Sequence, residues 1–142
     1  MLLSLARLSH YGFNQRALTL SDFYTICESE KIKVLEEDID CSFFMTFRGR
    51  KWITLSRKMT PLKTLFVAYH ELHHAMLSPE MMTRVCFFGL DDTPEERSAN
   101  MFAAVALIPR HEIADARIIE NDCEFAKVIY EQRVRVFQTY DI

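Results

Sequence analysis

A chain of 142 residues, 49% apolar and 26% charged, has the length and balance of one soluble globular domain with a real core. Its net charge of −3, with no dominant basic patch, gives nucleic-acid binding no electrostatic support, and three glycines and four prolines exclude low complexity. No apolar run reaches membrane-spanning length, and the start, MLLSLARL, is broken by Arg7 and lacks the features of a signal peptide. The expectation is a single domain over residues 1–142, cytoplasmic, meeting neither membrane nor nucleic acid directly. Cys27, Cys41, Cys86 and Cys123 form no CxxC pair and are expected as reduced, mostly buried thiols.

In chain order, residues 1–18 read as a short helix and a connection. Ser21 is a helix cap with Asp22 in the first turn, and Phe23, Ile26 and Cys27 repeat at helical spacing, which predicts a helix over 21–31. IKVLEEDI follows as a short strand. CSFFMTF, RGR and KWITLS read as a hairpin with Gly49 in the turn. Thr60 and Pro61 open a second helix, a side-chain cap followed by a residue whose missing N–H costs nothing at the first helical position. The stretch SPEMMTRVCFFGLDD is a connection whose Val85, Cys86, Phe87 and Phe88 tuck against the core or floor a pocket. Thr93 and Pro94 open a third helix that stops at Pro109. RHEIADARIIENDC suggests a short helix or turn. Residues 124–140 read as a closing helix, although the alternation Arg133-Val134-Arg135-Val136 also suits a strand.

The second helix carries the chemistry. His70 and His74 are four residues apart, on one face one turn apart, where two imidazoles can grip one metal ion. Glu71 adjoins the first of them and can act as general base on a metal-activated water. This is the HExxH pattern of zinc peptidases. Catalytic zinc usually takes three protein ligands, and the HExxHxxGxxH spacing that would supply a third histidine is absent. Glu96, in the first turn of the third helix, is the preferred third ligand. Glu95 is the fallback, and Glu80 a weaker choice. Glu96 also stands three residues after Thr93, where a capping box would occupy its carboxylate instead. Asn100, one turn beyond Glu96, can hydrogen-bond a ligand histidine and fix its tautomer. His73 lies about 100° round the helix from His74 and reads as a packing or supporting residue beside the metal. His111 is either an exposed loop residue, the preferred reading, or a stabiliser of a developing oxyanion.

HELHH followed by EERSANMFAAVALIP resembles the ImmA/IrrE (DUF955) metallo-endopeptidases, which pair HExxH with a downstream helix of the form ExxANxFAxxLxxP. Glu96, Ala99, Asn100, Phe102, Ala103, Leu107 and Pro109 carry the second motif, with small shifts at its end, and the resemblance covers roughly residues 20–140. It implies an α+β fold with a zincin-like, gluzincin-type core, a small antiparallel sheet packed on the HExxH helix and further helices. It implies Zn2+ on His70, His74 and Glu96, with Glu71 as the catalytic base. It also implies intracellular cleavage of a specific protein substrate, a helix-turn-helix transcriptional repressor. The family usually has Gly where this chain has His73. The alternative is a catalytically inactive, zinc-stabilised domain that binds a partner protein.

Overall fold

The computed structural model describes residues 6–77, 93–115 and 124–142. The readings of residues 1–5, of the connection 78–92 with Glu80 and the apolar patch 85–88, and of 116–123 lie outside the described residues. Residues 6–8 are helical and continue into a 3-10 turn, Ser9–Tyr11, closed by Gly12 at φ 86°.

Helix α1 spans Leu20–Ser29. Its cap is Thr19 rather than Ser21. Thr19 Oγ1 accepts from the Asp22 N–H at 3.2 Å, and the Asp22 carboxylate accepts from the Thr19 N–H at 2.8 Å. Ser21 has no carboxylate three residues on, so it cannot close such a reciprocal box. Arg16 grips the same carboxylate through both terminal nitrogens, at 2.7 and 2.8 Å, and holds its pKa well below the usual range. Tyr69 donates its hydroxyl to Thr19 O at 2.7 Å, tying the start of α1 to the central helix.

Strands β1 (Ile32–Glu37), β2 (Phe43–Phe47) and β3 (Arg50–Ser56) form one sheet in the order β1-β3-β2. The β2–β3 hairpin turns on Arg48 and Gly49, both at positive φ (50° and 74°), as a two-residue turn matched to strand twist requires. The expected antiparallel sheet is in fact mixed: β1 pairs with β3 in parallel, from Ile32 opposite Lys51 to Glu37 opposite Ser56. Side-chain alternation has the same period in parallel and antiparallel pairs, so the strand residues alone do not reveal strand order.

Ile32, Phe44, Ile53 and Leu55 on the inner face of the sheet are buried, and this face receives helix α2, Pro61–Leu77. Every residue of α2 from Phe66 to Met76 is buried, the signature of a helix packed on all sides. Helix α3 (Pro94–Leu107) packs on α2 through its alanines; Ala99, Ala103, Ala104 and Ala106 are fully buried and permit close approach. Helix α4 (Glu124–Tyr140) packs on α3, and its Phe125 meets Phe66 edge-on with ring centroids 5.4 Å apart.

The closing segment is a helix, with Arg133 and Val136 both fully buried and Arg135 exposed. Arg133 is an internal tie. Its Nε donates to Ile108 O at 2.6 Å, and its terminal nitrogens donate to Ile142 O at 2.8 Å and Asn14 Oδ1 at 2.9 Å. Burial, with Arg110 nearby, pushes its pKa down to about 10.

The expectation of four reduced thiols fails at Cys41, which is disulfide-bonded. Cysteine spacing along a chain does not report distance in the fold, and this bond removes the cysteine argument for a reducing compartment. Cys27 is free and buried, and burial pushes its pKa up to about 12. Among the described residues no helix is long and apolar enough to cross a membrane.

Replacing Arg133 by Ala takes the guanidinium donor from Ile108 O and Ile142 O, leaves Asn14 Oδ1 with the Arg110 N–H alone, and opens a cavity, so we expect a loss of about 3 kcal/mol or more. Lysine should restore only part, because an ammonium does not reproduce the guanidinium fork. Urea midpoints measured at constant slope check both.

Candidate metal centre

Helices α2 and α3 run antiparallel, so His70 meets Asn100 and His74 meets Glu96. Each position has a local cause. The start of α2 is set by Thr60, whose carbonyl accepts from the Thr64 N–H at 2.9 Å. The start of α3 is set by Thr93, whose Oγ1 accepts from the Glu96 N–H at 3.2 Å, with Pro94 in the first turn. Only this half of a capping box forms. The Glu96 carboxylate turns toward the histidines, with Oε2 3.0 Å from His70 Nε2 and Oε1 3.0 Å from His74 Nε2.

The ligating atoms of His70, His74 and Glu96 all lie within 4.8 Å of one another and can hold a metal ion. His70 and His74 are almost fully buried, and the Glu96 side chain is 15% exposed. The two Nε2 atoms are 3.2 Å apart. Nitrogens each bound to one tetrahedral zinc at ~2.0–2.1 Å would sit about 3.3–3.4 Å apart, so the spacing fits. The proton count points the same way. Asn100 Oδ1, which can only accept, lies 2.8 Å from His70 Nδ1, so that nitrogen carries the proton. In the neutral ring the lone pair is left on Nε2, facing the Glu96 carboxylate and His74 Nε2. A proton on His74 Nε2 satisfies one of these contacts; a cation satisfies all of them. The facing ring nitrogens of His70 and His74 hold the Glu96 carboxyl well below the usual carboxylate range, against the opposing effect of burial. Glu71 is fully buried one residue from His70.

The other residues singled out in the sequence lie apart from this group. Glu95 is exposed. His111 is in the 3-10 turn Arg110–Glu112, its side chain 64% exposed and 3.6 Å from Glu112. His73 is buried against Phe102, ring centroids 5.1 Å apart, and lies 6.1 Å from the His74 ring. Neither of its ring nitrogens has a hydrogen-bond partner among the described residues. Burial, reinforced by His74, pushes its pKa down to about 3, so it stays neutral. Lys51 and Arg7 carry no sign of this role in the sequence motifs. Lys51 reaches from β3 to Ala75 O, and Arg7 donates to Met76 O at 3.3 Å, so two cations meet the C-terminal carbonyls of α2. The available signal was alternation, which puts Lys51 on the inner face with Ile53 and Leu55.

No curated protein and no solved structure matches the chain. The description of the IrrE N-terminal-like domain, a peptidase family, matches residues 27–131, from the end of α1 into α4 and across the whole metal centre. With most of its length covered by that match, the chain belongs to the ImmA/IrrE family of peptidases.

Proposed function

We propose that this chain is a zinc-dependent endopeptidase with a zincin-like, gluzincin-type site, acting in the cytoplasm on one specific protein. The observation that carries this reading is the convergence of His70, His74 and Glu96 on one point, with ligating atoms placed to share a cation. Family membership supports the peptidase class. The choice of zinc rests on the donor set, two imidazoles and one carboxylate, which suits a catalytic zinc site.

Zinc held there supplies Lewis acidity, polarising a scissile carbonyl and making a water acidic enough to lose its proton near neutral pH. The residues do the rest. His70, His74 and Glu96 hold the ion, and Asn100 keeps the proton of His70 on Nδ1 so that Nε2 faces inward. Glu71 takes the proton of the attacking water and returns it to the leaving amine. Its burial keeps the exchange away from bulk solvent. The resemblance in the two motifs supports a helix-turn-helix repressor as the substrate, with any effect on transcription exerted through that partner.

The test is incubation of the chain with such a repressor, zinc present or removed by chelation, with cleavage followed by mass spectrometry. Glu71→Gln should lower cleavage by about a hundredfold or more while leaving bound zinc unchanged; full activity in that variant would sink the assignment of the base. Glu96→Ala should reduce zinc per chain in metal analysis, and an unchanged content would move the third ligand elsewhere. His73→Leu removes two buried nitrogens that have no hydrogen-bond partner among the described residues, so it should raise thermal stability by roughly 1 kcal/mol and leave zinc content alone. A destabilised His73→Leu chain would show that the imidazole has a partner.

A further inference from the structure

The sheet has a second apolar face, turned away from α1 and α2. Those helices lie on the inner side, where Tyr24 meets Glu36 and Lys51 meets Ala75. On the outer side Lys33, Trp52 and Met45 form one row across the three strands, and Leu35, Thr54 and Phe43 form the next. Leu35, Phe43, Met45 and Trp52 are only half-buried, and Phe47, opposite Arg50 at the hairpin, is 57% exposed.

The charge around this face is one-sided. Lys33, Arg48 and Arg50 surround its hairpin end, all exposed, and none is in an ion pair with a carboxylate among the described residues. The Arg48 guanidinium lies 5.2 Å over the Phe47 ring. The acid that the strands place on this face, Glu37, is at the opposite end beside Ser56. An aromatic surface with unpaired cations on a chain of net charge −3 calls for a ligand both apolar and acidic. Two further facts select a peptide over a nucleic acid. Strand β2 is an outer strand among the described ones, so its free edge can pair with an extended main chain. Lys51, between Arg50 and Trp52, reaches Ala75, the residue after His74, from the inner face, so the hairpin end of the sheet lies level with the metal-ligating turn of α2, on the other side of the sheet from the outer-face cations.

We propose that this aromatic and basic sheet face, centred on Phe47, Arg48, Arg50 and Trp52, is a docking surface for an acidic, extended segment of the protein substrate. The inference rests on the peptidase reading and adds substrate recognition outside the scissile bond. In an extended segment alternate side chains point the same way, so acidic residues at every second position face the cations together.

The test is fluorescence anisotropy with the full chain carrying Glu71→Gln, which binds without turnover. The probe is a labelled peptide of roughly ten residues alternating Glu and Val, beside a Lys-Val peptide and an oligothymidylate of similar length. We expect the acidic peptide to bind and to weaken at high salt, and the double variant Arg48→Glu/Arg50→Glu to lose about tenfold or more in affinity. Phe47→Ala should weaken binding with the net charge unchanged. Equal binding of the Lys-Val peptide, an unaffected charge-reversed variant, no binding of the acidic probe, or binding of the oligothymidylate in its place would each overturn the proposal. Phe47, Arg48 and Arg50 are all exposed, and circular dichroism with zinc analysis on the same samples confirms an intact chain. A failed docking surface leaves zinc content unchanged, whereas a failed peptidase reading leaves acidic-peptide binding in place.

Discussion

The fold depends on keeping two imidazoles and a carboxylate buried, face to face, between α2 and α3. Removing such groups from water is costly, and the cost is offset only when each lone pair and each proton finds a partner. Asn100 answers the His70 Nδ1 proton on one side, and on the other the Glu96 carboxylate faces both Nε2 atoms, where the His70 lone pair still needs a proton or a cation. The remaining lone pairs point at a common centre. A bound cation therefore acts on stability as well as chemistry, since binding to the folded state alone shifts the folding equilibrium. The small side chains of α3 belong to the same arrangement: Ala99 and Ala103 flank Asn100, and bulk there would move the carboxylate away from the histidines.

Such a site tolerates little sliding of one helix on the other, and the chain fixes both. The C-terminal carbonyls of α2 are met by Lys51 from the sheet and by Arg7 from the first segment. The end of α3 is held by Arg133 at Ile108 O and by the Leu18 N–H at Ala106 O, 2.8 Å away. Asn14, at a left-handed φ of 62°, accepts from both Arg133 and the Arg110 N–H, joining the early chain to the turn after α3. These contacts link residues far apart in sequence, so they set the helix register only once the whole domain has closed.

That distinction explains what could be read from the residues alone. His70, Glu71 and His74 lie within one helical turn, and Thr60-Pro61 and Thr93-Pro94 mark the helix starts directly, so the helices and the face that His70 and His74 share were legible. Glu96 was ambiguous, because the same residue three places after Thr93 serves a capping box or a metal. Only the approach of α2 decides where its carboxylate turns. The parallel pairing of β1 with β3, the inward reach of Lys51 and the buried Arg133 were not legible, since each depends on contacts across the fold that no local period encodes. Arg133 is the sharpest case: Arg-Val-Arg-Val alternation looks like a strand, yet Arg133 and Val136 share the buried face of a helix.

His73 shows how little the metal pattern constrains its own interior positions. HExxH leaves the two middle residues free, and where the resemblance implies Gly this chain buries an imidazole against Phe102, with no partner for either nitrogen among the described residues. Glycine would cost helix stability in that position by its backbone freedom; histidine costs stability through unanswered polar atoms. The two costs are of similar size, so the substitution is tolerable without serving the metal. The ring stays out of the ligating group because it is one residue, about 100°, removed from His74. Among the described residues, three side chains and no fourth join at the centre. A structural zinc site closes its coordination with four protein ligands, whereas three leave a position for water.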